Sequence, residues 1–191
     1  EEELAGLRFQ ISMESFFQTN PACAELLYDK ALDYLFEDPF EPGDIAMDLF
    51  CGTGTIGQLM AKRNSAVRII GVDIVEKAID DARQNAAKNG IHSVEFFAAD
   101  VGKFLKEYPD FQGKIKRIML DPPRAGIAPK TLQKVIALEA DSIVYISCNP
   151  STQARDAATL IDAGYVLEKY ALVDQFPHTG HIESIAKFKK A

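Results

Sequence analysis

Short apolar runs at residues 45–50, 67–72, 94–98, 118–120 and 143–146 alternate with segments of helical periodicity, and that alternation leaves few folds open. Strands without polar alternation are buried on both faces, so the helices between them must supply two covering layers. The intervening helices are predicted at 55–62, 76–89, 100–107 and 129–139, with Gly90 closing the second. A leading helix is predicted over 22–36, where Asn20 has the chemistry of a cap and Pro21 suits the first helical position. After a further helix at 151–163, strand-like segments at 166–173 and 182–188 follow one another directly. They predict a terminal hairpin with one antiparallel strand, and hence an α/β fold with a doubly wound, mostly parallel seven-stranded sheet. A single domain is expected, with residues 1–40 as a leading segment and 44–191 as a Rossmann-like core.

Composition narrows the class further. The 191 residues, 47% hydrophobic and 26% charged, suffice for one sizeable core. No apolar run is long enough to cross a bilayer and no signal peptide precedes the fold, so a soluble, cytoplasmic chain is expected. Cys23, Cys51 and Cys148 form no Cys-x-x-Cys pair, which argues against a disulfide framework or zinc knuckle and for a reducing compartment. A formal charge of −7 opposes the gripping of a polyanion by bulk field. The basic clusters Lys62-Arg63, Lys114-Lys116-Arg117 and Lys187-Lys189-Lys190 read as solvated rim. The opening "EEELAGLRFQISMESFFQTN" starts in mid-pattern without an initiator Met, so a piece of a longer protein is expected.

Ligands of an open parallel sheet sit at the carboxyl ends of its strands. Those ends read "DLFCGTGTIG", "VDIVEK", "AAD", "LDPPRAG" and "SCNP". Residues 52–57 satisfy G-x-G-x-x-G, and Asp73 follows at the distance of a ribose-binding acid, as in a dinucleotide oxidoreductase. Asp48 beside the loop weighs against a pyrophosphate and for S-adenosylmethionine, whose ammonium and sulfonium attract an acid. Asp73 then suits the ribose hydroxyls and Asp100 the adenine amine, although Asp100 is equally placed to cap the next helix. In "DPPR", two prolines hold a rigid extended turn that sets Asp121 and Arg124 beside the donor site. Cys148, at the next strand end, is expected to face the same cleft. A neighbouring carboxylate disfavours its thiolate, so activation needs Arg124, a helix N-terminus at Ser151, or the substrate.

The motifs "FFQTN", "DLFCGTGTIG", "DPPRAG", "YISCNP" and "DQFPHTGHIES", in this order, resemble the catalytic domain of the RNA uracil-5-methyltransferases. The resemblance runs from Phe16 to Ser184 and is closer to the 23S ribosomal RNA branch than to the transfer RNA branch. It implies a class I S-adenosylmethionine-dependent methyltransferase that forms 5-methyluridine. Cys148 would add to carbon 6 of the uracil, Glu183 would remove the carbon 5 proton, and Asp121 would hold the base or donor in register. Gln18, Phe50, Gly52, Thr55, Asp73, Asp100 and Asp121 would contact the methyl donor. Arg124 and Asn149 would contact the RNA base, with Arg124 stabilising enolate charge. Family members commonly carry an N-terminal RNA-binding barrel, and some an iron–sulfur cluster, so an RNA substrate weakly held by this piece alone is implied. Cys51 and Cys23 read as packing. His178 and His181 lack a third ligand at suitable spacing, so no metal is expected.

Rival readings stay open from the residues alone. A methyltransferase acting on an amino group or on cytosine is one, although Arg124 stands where amino-directed enzymes place an aromatic, and no Pro-Cys motif is present. A module that holds S-adenosylmethionine without transfer is the other; Cys148 and Glu183 would have no purpose in it.

Overall fold

The computed structural model describes residues 1–11, 20–111 and 113–191. The seven-stranded sheet runs in the order β5-β4-β3-β6-β7-β9-β8: β3 Ile45–Leu49, β4 Arg68–Asp73, β5 Val94–Ala98, β6 Ile115–Leu120, β7 Ser142–Ser147, β8 Tyr165–Val173 and β9 Glu183–Lys190. β9 lies between β7 and β8 and is antiparallel to both, so the predicted hairpin forms and contributes the one reversed strand. The period-2 alternation of side chains divides the core. Ile45, Met47 and Leu49 face one hydrophobic cluster with Ile118, Leu120, Ile143 and Tyr145; Ala46, Met119, Val144 and Ile146 face the other.

Helices cover both faces. α1 (Pro21–Leu35) and α2 (Thr55–Arg63) pack on one, and a smaller cluster under α3 (Glu76–Lys88) contains Ile79, Ala82 and Phe96. The opposite face carries α4 (Val101–Glu107), α5 (Pro129–Ile136) and α6 (Pro150–Asp162). α1 begins as its sequence dictates: Asn20 Oδ1 accepts from Cys23 N at 3.3 Å, and Pro21 takes the first helical position.

Four features depart from the sequence reading. β1 (Glu2–Leu4) and β2 (Leu7–Phe9) form an N-terminal hairpin whose turn residues Ala5 and Gly6 both have positive φ. Asn85 of α3 and Asn89, at its C-cap, bond the backbone of Gln10 and Arg8, standing in for a strand partner. α5 stops at Ile136 rather than 139, because Glu139 turns into the left-handed region at φ 55° and Leu138 folds into the core.

β6 begins three residues early, since Arg117 is buried within it. Its guanidinium reaches Asp141 Oδ2 at 3.3 Å and lies 5.2 Å from the Phe40 ring centre. Lys187 likewise is not rim. It is 1% exposed and its ammonium meets Glu37 Oε2 at 2.6 Å and Glu168 Oε2 at 2.9 Å, tying the end of α1 to β8 and β9. The Lys169 ammonium and then Lys187 hold the pKa of the Glu37 carboxyl down at about 2. Among the described residues no helix is long and apolar enough to cross a membrane.

Candidate active site

A cavity of about 630 Å³ opens at the carboxyl ends of the parallel strands. The loop after β3 forms its floor. Phe50 takes φ 65°, a strained conformation for an aromatic residue, and both Phe50 N and Cys51 N donate to Val72 O at 2.9 and 3.1 Å. Gly52 N donates to Asp73 Oδ2 at 2.9 Å, while Asp73 Oδ1 accepts from Val75 N at 2.9 Å. The acid thus braces two loops and retains lone pairs toward the cavity. Nothing lies within 4 Å of where a Cβ would stand on Gly52, so the backbone there is open to a ligand. Gly54, at φ 73°, starts α2 where a Cβ would come 2.4 Å from Phe96.

Cys148, Glu183, Asp121, Arg124, Phe50, Gly52, Thr55, Asp73 and Asp100 all line this one cavity. Gln18 lies outside the described residues. Asn149 is absent from the lining: its Oδ1 accepts from Ser151 N at 3.2 Å to cap α6, and its Nδ2 donates to Arg124 O at 3.2 Å. It therefore holds the Arg124 loop against the start of α6. Asp48 also stands elsewhere than expected, fully buried under the loop with Oδ2 accepting from Gly57 N at 2.7 Å. Its Oδ1 has no hydrogen-bond partner, and burial pushes the carboxyl up to about 7. Asp100 serves as both lining and cap, accepting from Lys103 N at 2.9 Å.

Sequence reasoning missed Tyr28, brought in by α1, and the pair Ile74-Val75, which line the cavity while 68% and 44% exposed. The apolar pair after a strand-end acid was a usable signal; Tyr28 had none, because only tertiary packing brings it there.

Antiparallel pairing brings two of the predicted site residues together. Ser147 of β7 pairs with Ser184 of β9, so Cys148 and Glu183 are the next residues along, on adjacent strands at one mouth. Burial pushes the Cys148 thiol up, Glu183 and Asp121 add to that, and Arg124 opposes it. Burial also raises Glu183; burial and then the charges of Glu183 and Asp48 lift Asp121 to about 8. Arg124 Nη1 lies 3.5 Å from His181 Nδ1. Among the described residues no group of three His, Cys, Asp or Glu side chains is placed to hold a metal.

These raised acids set a pH dependence. Their folded pKa values exceed their unfolded ones, so the folded chain binds more protons between about pH 4 and 8, and stability falls as pH rises through that window. Asp121→Asn removes one such group and is expected to flatten the decline. Urea midpoints at both ends of the window measure it; an unaltered slope would clear Asp121 of any part.

A methyltransferase-type sheet, with its reversed seventh strand and strand-end site, defines the class: the class I methyltransferase fold. A family profile described as tRNA (Uracil-5-)-methyltransferase matches residues 5–191, and the chain belongs to that family. It is 42% identical over 189 residues to an uncharacterized RNA methyltransferase of Clostridium tetani, covering 99% of this chain and 40% of the relative. It is also 41% identical over 183 residues to a 23S rRNA (uracil(1939)-C(5))-methyltransferase of Haemophilus influenzae, covering 96% and 40%. A solved tRNA (uracil-54, C5)-methyltransferase of Pyrococcus abyssi, in complex with S-adenosyl-L-homocysteine, superimposes with a TM-score of 0.80 at 34% identity. That match covers 98% of this chain and 43% of the other. The chain thus spans about two fifths of the length of these relatives.

Proposed function

We propose that the chain is the catalytic part of a longer S-adenosylmethionine-dependent enzyme that methylates carbon 5 of a uridine in RNA through a covalent cysteine adduct. The observation carrying this reading is the placement of Cys148 and Glu183 at neighbouring strand ends in one cavity with Asp121, Arg124 and Asp73. The greater identity to a relative named for 23S rRNA than to the tRNA-modifying structure favours ribosomal RNA.

S-adenosylmethionine supplies an electrophilic methyl group and departs as S-adenosylhomocysteine. The chain's own residues prepare the acceptor and clear the product. The Cys148 thiolate bonds to carbon 6, moving the ring's π electrons toward carbon 5 and the carbonyl oxygen beside it as an enolate, and Arg124 offsets the charge. After carbon 5 is methylated, Glu183 takes its proton; the double bond reforms and the thiolate leaves. One proton is released per turnover. Burial and the neighbouring acids favour the thiol over the thiolate in the resting site, so cationic charge in the loaded complex would assist its ionisation. Asp73 would accept from the ribose hydroxyls, and the open backbone of Gly52 leaves room for the ligand.

Incubation of the full-length polypeptide with S-adenosylmethionine and 5-fluorouridine RNA tests this reading, because fluorine at carbon 5 cannot leave as a cation. A covalent RNA–protein band that survives denaturing electrophoresis is expected; its absence, with methylation of ordinary RNA intact, would rule out the adduct. For the donor, S-adenosylhomocysteine is expected to bind with one-to-one stoichiometry, and Asp73→Ala to weaken it by about 1–3 kcal/mol. Calorimetry showing preference for NAD would sink the assignment. The acidic chain by itself is proposed to bind RNA weakly and with steep salt dependence. Equal affinity for RNA of this chain and the full-length polypeptide would contradict that.

A further inference from the structure

Gln153 sits in the first turns of α6, 3% exposed, and its carboxamide bridges two strands. Nε2 donates to Tyr145 O of β7 at 2.8 Å, and Oε1 accepts from Ser184 Oγ of β9 at 2.8 Å. The same hydroxyl lies 3.1 Å from Ser147 O. The Tyr145 carbonyl only accepts, so the orientation of the amide follows from its partners. One end of the bridge, Ser184, directly follows Glu183, and its hydroxyl also reaches the carbonyl of Ser147, which precedes Cys148. The β7–β9 ladder ends at Ser147↔Ser184, so the two functional side chains stand just past its last rung. A buried amide between sheet and helix gains little stability over an apolar side chain of similar size, because its desolvation offsets its hydrogen bonds.

We propose that Gln153 is a positioning residue that sets the spacing between Glu183 and Cys148 by tying β9 to β7 and α6 at the last rungs of the ladder. The inference rests on the covalent reading above. Proton removal by Glu183 is more sensitive to a small displacement than addition by Cys148, whose ring partner the cavity holds. Loss of the bridge therefore slows the later step selectively.

The test uses the full-length polypeptide with uridine RNA and S-adenosylmethionine. Gln153→Met, close in volume but without donor or acceptor, is expected to keep S-adenosylhomocysteine affinity and RNA KM while kcat falls about ten- to a hundredfold. The methylated covalent adduct should accumulate in the steady state. Ser184→Ala should give a milder version, and the double variant should be no worse than Gln153→Met, as expected of one shared bridge. Gln153→Glu should approach the parent's rate at the same pH as pH falls, since a protonated carboxyl restores both hydrogen bonds. Parent-like kcat and adduct fraction in Gln153→Met, or in Ser184→Ala should the first variant not fold, would overturn the proposal. Cys148→Ala run in parallel keeps the two readings apart: methylation surviving that change refutes the adduct itself. Loss of trapping there, with parent-like partitioning in Gln153→Met, refutes only the positioning role.

Discussion

Cys148→Ala is expected to lower methyl transfer by on the order of 10⁴-fold or more and to eliminate the trapped 5-fluorouridine complex. Carbon 5 of uracil is too poor a nucleophile to take a methyl group unaided, and without addition at carbon 6 no enolate forms. The side chain is half-buried at a strand end and free of disulfide bonding, so alanine leaves the sheet intact. Retained S-adenosylhomocysteine binding in calorimetry would establish that the loss is chemical. A variant that still forms the covalent band would place the nucleophile elsewhere, and Cys51, which lines the same cavity, would be the next thiol to test.

Glu183→Gln should separate the two halves of the reaction. Addition and transfer do not use Glu183, but the carbon 5 proton then has no acceptor, so a methylated adduct should build up on ordinary uridine RNA. Turnover is expected to fall by about 10²- to 10⁴-fold, the usual contribution of a positioned base. Burial raises the Glu183 pKa, so the base works only once deprotonated, and the parent rate should climb with pH until that ionisation is complete. Glutamine preserves shape and removes a buried ionisable group, so stability should hold or rise. Release of 5-methyluridine at the parent rate would withdraw the role from Glu183, and Asp121, held at about 8, would be the next base to test.

Much of this site was legible along the chain because strand ends and glycine loops write themselves locally. The left-handed turns at Gly52 and Gly54 need glycine, and the run from Asp48 to Gly57 announces a loop that meets a ligand. Asp73 follows a continuous apolar strand, so its place at the cavity could be assigned from order alone. Asp48 could not. Its spacing is compatible with facing the ligand or the loop's own amides, and the Gly57 N–H captured it. Asn149 carries a second role that order along the chain did not single out, since it caps α6.

Hydrophobic pattern by itself determined the covered sheet, the helix starts at Asn20 and Asp100, and the candidate chemistry at the strand ends, because burial on two faces and capping are properties of neighbouring residues. Polar residues that pair across long separations stayed hidden. Arg117 inside β6 and Lys187 inside β9 look like surface charges until Asp141 and Glu37, far away in sequence, arrive to meet them. The decisive case is the proposed nucleophile and base, Cys148 and Glu183, 35 residues apart by number and linked along the chain only through the family resemblance. Which strand β9 joins, and in which register, follows from packing over the whole sheet; a shift of one residue would turn Glu183 to the opposite face. Only the tertiary structure, by inserting β9 antiparallel beside β7, brought the two into one cavity.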